Sequence, residues 1–460
     1  MAKEKNKKEG GLGMSKKKML GLALGTVGLM GLVYSYVQAG NLTVSSPYKV
    51  AKELVDAAAV NATVGFNATT HTYTPSQIPL GSLTGPVIAV SVDKGKIYGT
   101  NVAICDLSNK TIAVYQSGDG TNQLVFSSAN STVSNGATYW IGNSTCNGTA
   151  DLTFEIPQGA SSVTLTIKTG VGATQQVLDT ASATIISVVP QFSASVGRKF
   201  SAKIDYESEF KKFESNATTD EGTIELKSSG LEVTVGNKVD KKEATFSVTL
   251  KPTDMSGINE VWIDGSNCTK LTDSFVCNAT ISSIDFTGSK TYTINATVTK
   301  TDVLAERSFK VDAFLDFASD KAKDVLLLSN ADFGAWTYKG TALYVPLIGV
   351  NPATGRETYI KLQSKDTNPV ANKVKAIILA SDGSLVTADL GKITPGQPFT
   401  ITGSDLAAKV QAAGKTVGDS FAAILVVTTD EANLFGYANI IDPSGAKRVP
   451  LKTRDGKIVE

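Results

Sequence analysis

The residues able to do chemistry in this chain are few and scattered. There is one histidine, His71, and there are four cysteines, Cys105, Cys146, Cys268 and Cys277. A single imidazole excludes His-rich zinc and iron sites and leaves only His71 for a serine-type triad. His71 lies in Thr69-Thr70-His71-Thr72. No cysteine, serine motif or carboxylate is set beside it, so a surface histidine in a loop is expected. No G-x-S-x-G elbow between strand and helix and no Walker loop occurs. Gly118-Asp119-Gly120-Thr121-Asn122 could offer oxygens to calcium but lacks the spaced acids of an EF-hand, and reads as a turn. The pair Asp220-Glu221 could serve glycoside hydrolysis in principle. It sits in a charged stretch and reads as solvated surface, as do Glu207, Glu209, Lys211, Lys212 and Glu214 with their mixed signs. The expectation is no catalytic residue, no cofactor and no metal site.

Two other residue classes do carry information. An even number of cysteines in an exported chain reads as disulfides. Four cysteines allow three connectivities, and Cys105–Cys146 with Cys268–Cys277 keeps each bond inside one proposed domain. A Cys₄ zinc site would need close C-x₂₋₄-C pairs, which are absent. N-x-T sequons begin at Asn41, Asn61, Asn67, Asn109, Asn130, Asn143, Asn147, Asn216, Asn267, Asn278 and Asn295, and none lies beyond. Chance would give roughly four N-x-S/T matches in such a composition. Threonine holds the third position each time, so N-glycosylation is expected, against the plain alternative of an Asn- and Thr-rich β surface.

These groups matter only if the chain leaves the cell. Residues Met19 to Ala39, MLGLALGTVGLMGLVYSYVQA, carry no charge and come directly after Lys16-Lys17-Lys18. Val37-Gln38-Ala39 offers an A-x-A-like exit with Gly40 as the mature start, the pattern of a cleaved signal peptide. A retained membrane anchor is the alternative, since roughly 20 residues can span the hydrocarbon core. Either way the lysines favour a cytoplasmic N-terminus and export of the chain from Gly40 onward.

The 460 residues suggest about three domains. Charge is balanced, 44 Lys+Arg against 43 Asp+Glu, which gives nucleic acid no basic face to bind. Short alternating runs dominate: Leu152, Phe154, Ile156; Val163, Leu165, Ile167; Ile224, Leu226; Leu231, Val233, Val235; Phe246, Val248, Leu250; Tyr292, Ile294, Ala296. Strict alternation between turn residues predicts half-buried strands and β-sandwiches. Ser46-Pro47 is expected to cap a helix carrying Val50, Leu54 and Val55, and 61–82 to form a loop. A second short helix is expected over Ser404 to Ala413. Trp140-Ile141-Gly142-Asn143-Ser144-Thr145-Cys146 and Trp262-Ile263-Asp264-Gly265-Ser266-Asn267-Cys268 share W-I-x-x-S-x-C. Phe192 and Phe317 stand 52 and 55 residues downstream, which predicts duplicated modules, each with a buried Trp beside a cysteine and a closing Phe. The expected division is 1–39 basic segment with signal peptide or anchor; 40–195 first sandwich; 196–319 second, Ig-like sandwich; 320–460 third sandwich with a short helix.

In the last third, ALYVPLIGV, ETYIKLQS, SDGSLVTADLGKI, FTITGSDL and LFGYANIIDPSGAKRVPL resemble a module of prokaryotic surface-layer-type and extracellular structural proteins. The W-I-x-x-S-x-C units resemble surface-protein β-sandwiches. The chain departs from many such proteins in its modest length and in lacking a recognisable wall anchor. The resemblance implies an all-β chain of tandem Ig-like sandwiches at the cell surface, behind an N-terminal signal or anchor helix, and carries over no functional residue. The function expected is a glycosylated structural subunit that partners itself in a layer or filament, with the cell envelope as a further partner. The segments Asn41–Val44 and Arg448–Leu451 are candidate strands for donation to a neighbour. A membrane-anchored adhesin or ligand-binding protein is the alternative, and a secreted carboxylate hydrolase a third reading.

Overall fold

The computed structural model describes residues 40–128, 130–172, 176–229, 244–281, 287–317, 322–368 and 370–459. The expected leader helix and the alternating run Leu231 to Val235 lie outside them. No helix among the described residues is long and apolar enough to cross a membrane.

Alternation builds strands almost throughout, and these bury their apolar faces against one another in three main cores. In the first, a ten-stranded sheet runs in the order Asn41–Val44, His71–Thr74, Tyr139–Asn143, Val102–Asp106, Thr111–Ser117, Gln123–Ser127, Val87–Val92, Ser162–Val171, Gln176–Val189, Tyr48–Ala51. Its core face meets a three-stranded sheet of Val60–Phe66, Ala150–Ile156 and Lys96–Tyr98. Phe66, Leu152, Phe154 and Ile156 from the small sheet pack with Val90, Phe126, Leu165 and Ile167 from the large one. Complete burial of such a side chain contributes about 1.5–3 kcal/mol.

Two expectations fail here. The segment Val60–Phe66 is a strand rather than a loop, because Ala62, Val64 and Phe66 alternate inward along the full length of Ala150–Ile156. Tyr48–Ala51 is a strand parallel to the end of Gln176–Val189, so the helix is only Lys52–Ala57 and has no side-chain cap. Edge pairing wins over the Ser-Pro signal.

The second core lies between a five-stranded sheet (Phe192–Val196, Thr219–Ser229, Thr287–Val298, Ile258–Ile263, Ser266–Asn267) and a six-stranded one. The six are Lys203–Ile204, Val325–Tyr338, Arg307–Phe317, Ala244–Pro252, Phe275–Thr280 and Thr269–Lys270. This sandwich extends past the expected boundary at 319, because Val325–Tyr338 pairs with Arg307–Phe317 and sends Phe333 and Trp336 into its core. Phe192 does not close the first module either: its ring lies 5.8 Å from that of Phe317 inside the second core.

In the third core, Thr341–Asn351 pairs with Ser420–Val427 on both sides of a register shift between Val345 and Ile348, and its last residues, Val350 and Asn351, pair with Arg356–Ser364. Pro346, with no N–H for a ladder, sits in that irregularity. Leu385–Lys392 and Lys373–Leu379 form the expected hairpin on one flank, with Gly383 at φ 82° in its turn. Leu434–Asp442 and Gly445–Pro450 extend the other flank. The helix Gly403–Ala412 covers this core with Leu406 and Val410. Its capping residue is Thr402, in a capping box with Asp405.

Candidate functional site

None of the residues that could suggest catalysis gathers with a partner. His71 is buried, not exposed. Its ring packs on Phe66 at 4.3 Å and its Nδ1 is 2.8 Å from the Thr70 hydroxyl, while burial lowers its pKa. Asp220 is buried rather than solvated. Its Oδ2 accepts hydrogen bonds from Ser201 N, Ala202 N and Trp336 Nε1 at 2.9–3.0 Å, so it serves as an internal clamp. Glu221 points the other way and pairs with Arg198 at 3.3 Å. Successive strand residues face opposite sides, so the two carboxylates cannot act together on a glycoside. Asp119 spends its Oδ1 on Gly99 N at 2.8 Å and stays a turn residue. No group of three metal-ligating side chains occurs among the described residues.

Both cysteine pairs are bonded: Cys105 to Cys146 and Cys268 to Cys277, with sequence separations of 41 and 9. The first ties Cys105, which stands opposite Trp140 in register, to Cys146 in the turn after Tyr139–Asn143. Strand alternation then corrects the duplicated-core expectation. In each W-I-x-x-S-x-C unit the isoleucine, Ile141 or Ile263, enters the main core, and the tryptophan points to the outer face. Trp140 is buried there in a satellite cluster with Ala103, Cys105 and Cys146, its Nε1 donating to Asp106 O at 3.1 Å. Trp262 has no such cover and is half-buried, paired across the sheet with Asn267 on one side and Asn295 on the other.

All the sequon asparagines are on outer surfaces. Asn41, Asn61, Asn109, Asn130, Asn147, Asn216, Asn267 and Asn278 are exposed, and Asn67, Asn143 and Asn295 are partly so. Both candidate donor strands are already used within the chain. Asn41–Val44 pairs with His71–Thr74, and Gly445–Pro450 with Leu434–Asp442, each at the end of its sheet. They are edges, not free strands. Another exposed feature is a hollow of about 320 Å³, lined by Tyr338, Tyr344, Pro346, Leu379, Leu385 and Ala422 among others. Leu379 and Leu385 face each other across the hairpin and are 46% and 41% exposed.

Two buried charges, Glu53 and Lys375, sit at the joints between modules. At the first joint, helix Lys52–Ala57 shares itself between two cores: Leu54 packs in the second and Val55 in the first. Glu53 is buried, and its carboxylate accepts from Gln191 N and Phe192 N. Its carbonyl accepts from Lys323 N at 2.8 Å. At the second joint, Lys375 is 4% exposed. Its ammonium donates to Tyr206 O at 3.0 Å and Glu209 Oε1 at 2.5 Å and lies over the Tyr206 ring at 4.4 Å. Lys373 pairs with Glu207 beside it. Glu209 and Phe210 hold φ of 58° and 59°, a left-handed pair that turns one side chain to Lys375 and the other into the core. Tyr344 OH and Tyr338 N both donate to Glu306 at 2.9 Å. Within the second core, Arg307 is fully buried, donating to the carbonyls of Asp254, Ser256 and Ala305 and lying 5.2 Å over Trp336. Sequence reading missed these. No local signal marks them, since Glu53 stands between Lys52 and Asp56 and Lys375 two residues after Lys373, as ordinary surface charges do.

The family model for S-layer protein Slr4 matches residues 83–447. No curated protein matches the chain. Among solved structures, similarity is found to the major pilin subunit BcpA* of Bacillus cereus, with 9% identity, TM-score 0.23, and coverage of 86% of this chain and 91% of that one. It is also found to the C-terminal domain of the Streptococcus pyogenes antigen I/II-family protein AspA (8%, TM-score 0.21, 65% and 98%) and to the collagen adhesin CNA from S. aureus (12%, TM-score 0.15, 65% and 93%). Those scores are too low to carry an argument, and the family match stands without them. The chain belongs to the S-layer protein Slr4 family, and is a structural, non-enzymatic protein of the cell surface built of tandem β-sheet modules.

Proposed function

We propose that this chain is a glycosylated subunit that self-assembles into the surface layer, exported by the leader before Gly40. The family match across residues 83–447 carries the reading. Several features support it. The modules are joined through buried hydrogen-bonded charges, so a load on one reaches the next without a flexible linker. A net charge of +1 lets copies pack closely where a high charge would repel. The sequon asparagines all lie on outer surfaces of the first two modules, leaving the third bare for contacts. On this reading a second copy covers the Leu379–Leu385 hollow, since a layer buries apolar surface that a lone monomer would expose.

Electron microscopy of isolated cell envelopes, with immunogold against the third module, tests the proposal. A periodic array labelled throughout is expected, lost in a Leu379→Asp/Leu385→Asp strain that still exports folded protein. A native protein that stays monomeric on the cell and binds a sugar or host surface would instead establish the adhesin alternative. Intact-mass analysis of the native protein tests the glycans. Mass beyond the polypeptide is expected, and only on peptides up to Asn295.

A further inference from the structure

Gly40, the residue that would become the first of the mature chain, is buried against a carboxylate. Asp179 lies in the strand Gln176–Val189 and is fully buried. Its Oδ1 accepts from Ser76 N at 3.3 Å and Gln77 N at 3.1 Å. Its Oδ2 accepts from the Tyr73 hydroxyl at 2.5 Å, and that hydroxyl also contacts Thr169 at 2.9 Å. Burial, and after it the hydrogen bond to Asp179, pushes the Tyr73 phenol well above its usual range, so it remains a neutral donor. Among the described residues no lysine or arginine pairs with Asp179. A Cβ built on Gly40 would stand 2.4 Å from Asp179 Oδ2, 2.9 Å from Thr74 O and 3.1 Å from the Tyr73 ring. The Gly40 nitrogen is about 2.5 Å from that same Cβ position, so it lies within about 5 Å of the carboxylate oxygen. Only glycine fits this place, and its nitrogen sits beside a buried carboxylate whose Oδ2 accepts, among the described residues, from the Tyr73 hydroxyl.

We propose that removal of the leader after Ala39 creates the partner of Asp179: the freed α-ammonium of Gly40 forms a buried ion pair with that carboxylate and fastens the first strand to the strand Gln176–Val189. The chemistry is peptide-bond hydrolysis by a signal peptidase. Water adds across the Ala39–Gly40 bond, leaving a carboxylate on the departing leader and an amine on Gly40 that takes up a proton. Before the cut the Gly40 nitrogen is a neutral amide, able to donate one hydrogen bond. After it, the nitrogen carries a positive charge and three N–H donors beside a desolvated carboxylate, where Coulomb attraction is far stronger than in water. Export would thereby be coupled to stability, the first sandwich gaining its final fastening only once the leader is gone. The inference rests on the cleavage reading and not on assembly.

The test uses the full-length mature protein from the cell surface. N-terminal peptide mass spectrometry is expected to give Gly40 with a free amine. Any other start overturns the inference and leaves the assembly proposal standing. In the folded protein, an amine-reactive ester at pH 7.5 is expected to label Gly40 at least about tenfold more slowly than in the urea-unfolded chain, as a raised amine pKa and burial both require. Labelling at equal rates overturns it. Asp179→Asn is then compared in two backgrounds, the protein beginning at Gly40 and the same protein with Ala39 retained. The thermal midpoint is expected to fall by several degrees more in the first. Equal falls would mean that Asp179 acts only on its hydroxyl and amide donors, and would overturn the ion pair.

Discussion

Glu53 belongs to the first module, yet both of its carboxylate oxygens accept the backbone N–H of Gln191, at 3.1 and 3.0 Å, where the second begins. A charged acceptor satisfies a buried amide better than water would after desolvation. Its cost is tolerated because Leu54 and Val55 on either side of the joint bury apolar surface in two cores.

Glu53→Ala leaves the Gln191 amide without that acceptor, and about 1–3 kcal/mol of stability should go with it. Hydrogen exchange at Gln191 should accelerate while exchange deep in the third module stays as it was. Glu53→Gln keeps one carbonyl oxygen in place and should recover part of the protection. Unchanged exchange at Gln191 in the alanine variant would show that the joint is held by the cores alone.

The amino acids alone made the local half of the architecture legible. Period-two runs such as Leu152-Thr153-Phe154-Glu155-Ile156 announce strands, and an Asp-Gly pair at 382–383 announces a hairpin. The repeat W-I-x-x-S-x-C was legible as a motif but misread in depth. A period of two fixes that Trp140 and Ile141 face opposite sides without saying which side is the core. Asn-Thr-rich strands such as Val60–Phe66 looked like loops because their outer residues match turn composition. The joints were illegible for a different reason. Lys375 and Glu209 are far apart in sequence, and only the docking of one finished sandwich on another brings them together.

Lys375→Met tests the second joint. Methionine keeps the length of the side chain and its packing on Tyr206, but the hydrogen bonds to Tyr206 O and Glu209 are lost. Glu209 is half-exposed and can turn to water, so the loss should stay near the ~1.5–3 kcal/mol of a charge-assisted hydrogen bond rather than reach that of a stranded buried charge. In calorimetry the third module should separate as an earlier transition, with the disulfide-bonded modules melting where they did. A single transition at the wild-type midpoint would count against the joint.

His71 gives the first module a pH response with a definite sign. Burial lowers its pKa from 6.5 in the fold. The unfolded chain therefore takes up the proton first as pH falls. The histidine's contribution is complete above about 6.5 and is lost progressively as the pH drops below that value toward the folded pKa. His71→Phe fills the same space against Phe66 without titrating. Denaturation monitored from pH 7.5 to 5 should show wild type losing stability relative to the variant over this interval. Parallel curves would mean that the imidazole reaches water in the fold.

The two disulfides should differ in worth because their loops differ. Bridging a separation of 41 residues removes more freedom from the unfolded chain than bridging 9. The chain-entropy model gives about 4 kcal/mol for the longer loop and about 2.5–3 for the shorter. The Cys105–Cys146 bond also roofs Trp140 on the outer face, so its loss exposes a large apolar ring, whereas Trp262 beside the other bond is already half in water. Both effects act in the same direction. Cys105→Ser/Cys146→Ser should lower the thermal midpoint of the first module clearly more than Cys268→Ser/Cys277→Ser lowers that of the second, each referred to its own module's wild-type transition. A reversed order would show that the short bridge clamps strand Phe275–Thr280 in a way that loop length does not capture.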